Sequence, residues 1–314
     1  MKTEEIINKK STSIQEKILL ATIATLTLLT INPMQWQSLR SLSVHSVLIT
    51  TVLMGIGFLA LALRKDKTIL VSFAACILLC SHLKSSQKST FSYCSPKQES
   101  TQLRVATFTL DQATEITAFG TQIKQVEADL IAVQVPVNAV DGQWLKEQMH
   151  KTFPYYQKTV CGDSLVMIVL SKAVIKELDT LCFDDAISIA GVIQPIGFAK
   201  EVAFISTHLS DKLPRTEAQL GRLSSYIQEH YAEGKPFLTL NGTALNTWLP
   251  EIKDFKNVHS LYDSRTDINF STPDKHIFYS SSLECTSFNN IFDGIGIMAT
   301  YQLKKMPTIA AKAM

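Results

Sequence analysis

The first 84 residues of this 314-residue chain hold most of its apolar excess and set them apart from the rest. Three hydrophobic segments, roughly Ile18–Trp36, Val44–Leu63 and Thr68–Leu83, succeed one another with short polar hinges between them. Each approaches the ~20 residues that a helix needs to cross a bilayer. Val44–Leu63 lacks the polar face that a helix on the surface of a soluble domain would show. Residues 1–84 are therefore expected to be a membrane anchor of three transmembrane helices. A cleaved signal peptide does not fit three segments in succession. Lys2, Lys9, Lys10 and Lys17 would share one side of the membrane with Arg64, Lys65 and Lys67, against Arg40, Lys84, Lys88 and Lys97 on the other. By the positive-inside rule this places the N-terminus in the cytoplasm and the C-terminal domain on the extracytoplasmic side of a multi-pass protein. His45 and His82, in or beside the spans, are expected at the interface rather than on a metal.

The pattern then changes. Residues 85–102, rich in Ser, Thr, Lys and Gln, read as a linker. From 103 to 305, strand-like and helix-like segments alternate, and 306–314 read as a tail. Leu103–Phe108, Leu130–Val135, Tyr155–Val160 hairpinned with Leu165–Leu170, Ala186–Ile193, Glu201–Thr207, Pro236–Leu240, His276–Ser280 and Gly296–Leu303 are strand-like runs. Glu115–Val126 and Arg215–Tyr231 repeat apolar residues at helical spacing, and Val140–His150 reads as a helix. The fold class this implies is α/β (α+β): a two-layer β-sandwich flanked by helices. With 30 basic and 28 acidic residues and no basic run, the chain carries no strong nucleic-acid signal. Of the cysteines outside the apolar segments, Cys94, Cys161, Cys182 and Cys285 show no zinc spacing. Cys161 and Cys182 could pair across a hairpin outside the cytoplasm, or remain free thiols.

The segments LRVATFT, ADLIAVQV, GDSLVMIVLSK, VAFISTHL, FLTLNGTALNTW, DKHIFYSS and IGIMATYQL come in an order that carries a resemblance. They resemble the endonuclease/exonuclease/phosphatase family, the Mg²⁺-dependent phosphodiesterases related to DNase I and the sphingomyelinases. VAFISTHL is similar to the strand that ends in the family's catalytic His, and Asn241-Gly242-Thr243-Ala244 stands where the family writes Gly-Asp-Phe-Asn. The resemblance covers about Leu103–Leu303 and implies a DNase I-like fold. Membrane-anchored members with a few spans ahead of the catalytic domain are a known layout of the family.

The resemblance also exposes losses. Metal-assisted phosphodiester hydrolysis needs carboxylates to hold Mg²⁺, a base for the attacking water and donors for the developing charge. Thr109 stands where the family's first-strand Asn would be, Val135 at the metal-binding Glu, Gly242 at the Asp and Ala244 at the Asn of the turn motif. Lys275 stands at an Asp, and Phe292-Asp293-Gly294 matches Ser-Asp-His, so Gly294 replaces the terminal His. His208 and Asp293 are retained as vestigial catalytic positions, with Gln134 and His276 beside them. Each also has a plain structural reading: His208 as a hydrogen-bonded strand end, Asp293 as a turn former, His276 as a strand residue and Gln134 as a strand-end cap. The Asn241-Gly242-Thr243 sequon ends a strand and is expected to carry no glycan. The expectation is a pseudoenzyme with no metal ligands and no cofactor, partnered by the membrane and by a protein or a phosphate-containing ligand. The alternative is an active metal-dependent phosphoesterase that holds Mg²⁺ through other carboxylates such as Asp111, Asp163, Glu201 or Asp267.

Overall fold

The computed structural model describes residues 2–32, 42–43, 45–87, 102–110, 116–136, 142–161, 165–183, 186–209, 213–231, 234–241, 247–265, 275–292 and 294–304. The chain divides into a first unit of Met1–Lys88, Asn246–Lys253 and Asp267–Pro273, built on helices, and a sandwich unit to which Ser89–Leu245, Asp254–Thr266 and Asp274–Met314 belong, so that the helix Pro250–Val258 is shared between the two.

In the helical unit, α1 (Lys2–Ile31), α2 (Ser46–Ala62) and α3 (Asp66–Gln87) surround a small core of Ile23, Leu53, Ala75, Cys76 and Leu79. Gly57 lets α2 approach Ser72 and Phe73 of α3 closely, because a Cβ there would already lie 3.3 Å from the Phe73 ring. Polar side chains inside these helices bond back to their own backbone, as Thr27 Oγ1 does to the Ile23 carbonyl at 2.8 Å. The outer surface is apolar: Leu28, Leu59, Leu70 and Ile77 are all exposed. Among the described residues, two helices are long and apolar enough to cross a membrane, over Ile14–Ile31 and Asp66–Ser85, where three were expected. The middle one, α2, has 17 residues, or about 26 Å at ~1.5 Å per residue, against a hydrocarbon core of about 30 Å. Helix α3 also runs to Gln87, past the point where the linker was expected to begin.

In the sandwich unit the chain order is β1 (Leu103–Thr109), α4 (Ile116–Ile123), β2 (Leu130–Pro136), α5 (Gly142–Met149), β3 (Tyr155–Cys161), β4 (Leu165–Ser171), β5 (Ile175–Phe183), β6 (Ala186–Ile193), β7 (Val202–His208), α6 (Leu213–His230), β8 (Phe237–Asn241), α7 (Pro250–Val258), β9 (Leu261–Asp263), β10 (His276–Ser280), β11 (Leu283–Ile291) and β12 (Gly296–Leu303). They form two six-stranded sheets, ordered β11-β12-β1-β2-β4-β3 and β5-β6-β7-β8-β10-β9. The sheets are built alike. Each has one parallel pair at its centre, β1 with β2 and β7 with β8, flanked on both sides by antiparallel neighbours. A parallel pair needs a crossover, and α4 and α6 supply it.

Period-two alternation sorts the side chains of every interior strand. Leu130 and Ala132 of β2 meet Val202 and Phe204 of β7 and Leu238 and Leu240 of β8 in the core between the sheets. Ile131, Val133 and Val135 of the same β2 point the other way, into a second core with Phe119 of α4 and Leu145 and Met149 of α5. The second sheet's outer face is covered by α6, whose Leu220, Leu223 and Ile227 are buried, and by α7, whose Lys256 lies 5.5 Å over the Phe278 ring.

Four elements have no counterpart in the sequence reading: β5, β9, β11 and α7. Strand β5 is an edge strand whose residues from Lys176 to Thr180 are all exposed, so the burial that writes an apolar signature is missing. Cys182, on this strand, carries a free exposed thiol, so the Cys161–Cys182 bridge is not formed. Cys285 of β11 is also free, and burial pushes its thiol up to about 12.

Two glycines give opposite expectations. A Cβ at Gly296 would run into the Phe108 ring and lie 3.0 Å from the Thr107 carbonyl, and Phe108 is itself wedged between Phe119 and Phe292 at 5.2 and 5.8 Å. Gly296→Ala should destabilise the sandwich by about 1–3 kcal/mol. Gly221, inside α6 with open space around it, should gain about 0.5–1 kcal/mol as Gly221→Ala. Thermal unfolding of the two purified variants beside wild type reads both; equal melting temperatures would contradict this packing.

Candidate functional site

The two central parallel pairs finish at one end of the sandwich. In the first sheet Thr109 pairs with Gln134, and in the second Thr207 pairs with Asn241, which in turn faces His276. The side chain of Gln134 joins the two. Gln134, fully buried, donates from Nε2 to the Thr207 carbonyl at 2.9 Å, and its Oε1 lies 3.0 Å from His208 Nδ1. A carbonyl can only accept, so it fixes which end of the amide it meets. Oε1 is then left for the imidazole, and Nδ1 must carry the proton. On the other face of β7, the Thr207 hydroxyl accepts from Ser188 Oγ at 2.7 Å.

The same alternation that shapes the core says where each candidate points. Thr109, Gln134 and His208 continue the inward rows of Leu103–Val105, Leu130–Ala132 and Val202–Phe204 and face the gap between the sheets. Lys275 continues the row of Ile277 and Tyr279, is 4% exposed, and accepts from Arg265 Nη1 at its carbonyl, 3.2 Å away. Val135 does not face this gap: it is fully buried in the outer core against the helices. Gly294 has φ +90°, with open space around it, in the turn before β12. Glu201 precedes β7 and so lies at the opposite end from His208, where it binds Lys176 at 2.8 Å. Gly242, Ala244 and Asp293, like Asp111, Asp163 and Asp267, lie outside the described residues.

His276 belongs to a different constellation, on the helix-covered face of the second sheet. Its Nδ1 lies 2.9 Å from Oδ2 of Asp263, and both side chains are 1% exposed. Burial by itself would push the Asp263 carboxyl up. The charge and hydrogen bond of His276, the Lys256 ammonium and the Arg265 N–H outweigh it and hold the carboxyl below its ordinary value. The Arg265 N–H bond to Asp263 is 3.0 Å, and the Arg265 guanidinium lies 5.4 Å over Phe288. Sequence reasoning missed Asp263, which sits in a three-residue strand, and its only signal was an acid directly after Leu261-Tyr262.

A Mg²⁺ ion asks for several hard oxygens in octahedral array, with carboxylates among them. The described strand ends do not fit one. Gln134 offers an amide oxygen already engaged by His208, Thr109 a hydroxyl, and Lys275 a cation. Among the described residues no group of three His, Cys, Asp or Glu side chains is placed to hold a metal ion.

No protein-family model matches this chain, and no curated protein does. Solved structures do. An endonuclease/exonuclease/phosphatase family protein from Bacteroides thetaiotaomicron superposes with a TM-score of 0.52 at 13% identity, covering 65% of this chain and 99% of the other. A mannosyl-6-phosphatase from the same species gives 0.51 at 13%, covering 65% and 100%. An endonuclease/exonuclease/phosphatase from Beutenbergia cavernae gives 0.52 at 12%, covering 66% and 73%. At such identities the likeness shows the fold, and the fold is the DNase I-like sandwich of the endonuclease/exonuclease/phosphatase proteins.

Asp263 sets a pH expectation. A carboxyl whose folded value is depressed stabilises the fold fully above its unfolded value of about 3.9, and that contribution is lost as pH falls through the folded value. Wild type should therefore lose stability below about pH 4, and Asp263→Asn should flatten that acid limb. Asp263→Ala should cost about 3–5 kcal/mol near neutrality by leaving His276 and Lys256 buried without their acid. Melting temperature against pH for the three proteins decides it; parallel acid limbs in all three would refute the assignment.

Proposed function

We propose that this chain is a membrane-anchored domain of endonuclease/exonuclease/phosphatase fold that no longer performs Mg²⁺-dependent phosphodiester hydrolysis and acts by binding or scaffolding. The observation that carries this reading is the state of β2. The position that would supply a metal-binding carboxylate, Val135, is packed into the helix-covered core, and the inward residue beside it, Gln134, spends both ends of its amide on Thr207 and His208. A base needs a partner that stabilises its charged form, and a neutral amide does that far less well than a carboxylate. His208 is thereby held as a hydrogen-bonding group at the strand end, the vestige of a catalytic position. Asp293, Gly242 and Ala244 complete the proposal from their sequence positions alone.

The membrane part rests on the apolar exterior of α1–α3. Helices of this composition in a soluble protein would be covered, yet only 17% of the Ile14–Ile31 window and 33% of the Asp66–Ser85 window are buried. In the proposed arrangement α2 joins them as a third, shorter span, and the Lys and Arg distribution puts the sandwich on the extracytoplasmic side. The partners are then the lipid bilayer and a protein or phosphate-containing ligand at the strand ends.

Purified full-length protein in detergent should show no Mg²⁺- or Mn²⁺-dependent hydrolysis of bis-p-nitrophenyl phosphate above the buffer rate. Metal-dependent turnover that disappears in His208→Ala would overturn the non-catalytic reading in favour of a phosphoesterase with unusual ligands. Cell fractionation tests the anchor separately: the protein should stay with membranes through an alkaline carbonate wash, and release by that wash would refute spanning helices.

A further inference from the structure

Between the three helices of the first unit lies a groove of about 330 Å³. Ala60 and Thr68, both buried, lie at its base, and Leu19 of α1 with Ile56, Leu59 and Leu63 of α2 make its apolar wall. Leu19, Leu59 and Leu63 stay exposed. From Ile56 to Leu63 the wall runs about 10 Å along α2, at ~1.5 Å per residue. Charge gathers at one end only, where Glu16 of α1 and Lys65, just past α2, line the groove.

That end is the hinge between α2 and α3, and the backbone fixes it. Arg64 takes φ 55°, and the N–H groups of Arg64 and Lys65 return to the Leu61 and Ala60 carbonyls at 3.1 and 2.9 Å. This doubly bonded cap ends α2 in a left-handed residue, a position usually given to Gly. The Lys65 carbonyl in turn accepts from the Ile69 N–H at 3.0 Å as α3 begins. Lys65 is thus held from both sides, so its side chain leaves the groove's rim from a set position.

The two charges at this rim are opposite and apart. Among the described residues neither Glu16 nor Lys65 has an ion-pair partner. An apolar wall headed by an ammonium and a carboxylate matches a phospholipid, with its tail below and its headgroup above. The charges also say which headgroup. Lys65 suits the phosphate, as cationic side chains at the membrane surface do. Glu16 repels a headgroup that carries only negative charge and suits a cation that brings N–H donors. A primary ammonium has three such donors, and a quaternary one has none.

We propose that this groove holds one phospholipid with a zwitterionic, primary-amine headgroup, its phosphate on Lys65, its ammonium on Glu16 and an acyl chain along Leu19, Ile56, Leu59 and Leu63. This rests on the membrane-anchored reading and names the lipid that the anchor selects, in the leaflet on the side of the N-terminus.

The test is native mass spectrometry of the full-length protein in an uncharged detergent, titrated separately with dioleoyl-phosphatidylethanolamine, dioleoyl-phosphatidylcholine and dioleoyl-phosphatidylglycerol. Wild type should bind one phosphatidylethanolamine about tenfold more tightly than either of the others, the worth of one hydrogen bond to a charged group. Glu16→Gln should erase the preference over phosphatidylcholine and strengthen phosphatidylglycerol. Lys65→Met should weaken phosphatidylethanolamine and phosphatidylcholine alike. The wild-type comparison of headgroups needs no variant, so it stands whatever a substitution does to folding. Equal affinities for the three lipids, tightest binding of phosphatidylglycerol, or a phosphatidylethanolamine preference that survives Glu16→Gln would overturn the proposal. The anchor reading fails on a different result, release by the alkaline carbonate wash, so the two failures cannot be confused.

Discussion

Two six-stranded sheets that bury both of their faces leave an interior strand no solvated side, so every polar group on it must find its partner within the protein. Strand β2 shows what this constraint does. Leu130 and Ala132 fill the gap between the sheets, Ile131, Val133 and Val135 fill the space under the helices, and Gln134 alone is polar. It sits where the two parallel pairs end together, so its amide closes the gap by bonding the backbone and the imidazole of β7. The orientation of the His208 ring and its tautomer are tied to that side chain.

On the non-catalytic reading proposed above, the loss of metal ligands goes deeper than a set of replaced side chains. A carboxylate at position 135 would enter an apolar cluster bounded by Leu145, Met149 and Val166, where an unpaired charge is strongly disfavoured. A histidine at position 294 would have to adopt φ +90°, in a turn whose neighbour Phe292 already holds φ 52° and stacks on Phe108. Putting the acids back one at a time would meet the fold before it met a metal.

The fold was legible wherever burial writes a pattern. The runs LRVATFT, LIAVQV and VAFISTH are apolar because both sides of those strands are covered, and Arg215–Tyr231 shows its buried row of Leu220, Leu223 and Ile227. What escaped was what burial does not mark. Strands β5 and β11 lie at sheet edges and mix Lys, Glu, Asp and Asn with their apolar residues, and β9 is three residues long. The site was half legible. Residue matching put His208 and Gln134 at strand ends that adjoin in the structure, but it could not tell that Gln134, and not Val135, faces the gap between the sheets, since that needs the packing of β2 against β7. Nor could it join His276 to Asp263, thirteen residues away and invisible until β9 and β10 pair.

The charges described inside the sandwich are distributed unevenly. On the helix-covered face of the second sheet, Asp263, His276, Lys256 and the Arg265 backbone form a compensated set that locks β9 to β10. An acid there is tolerated because three donors surround it. On the inward face at the strand ends, the described residues keep an imidazole, an ammonium and hydroxyls, and no acid accompanies them.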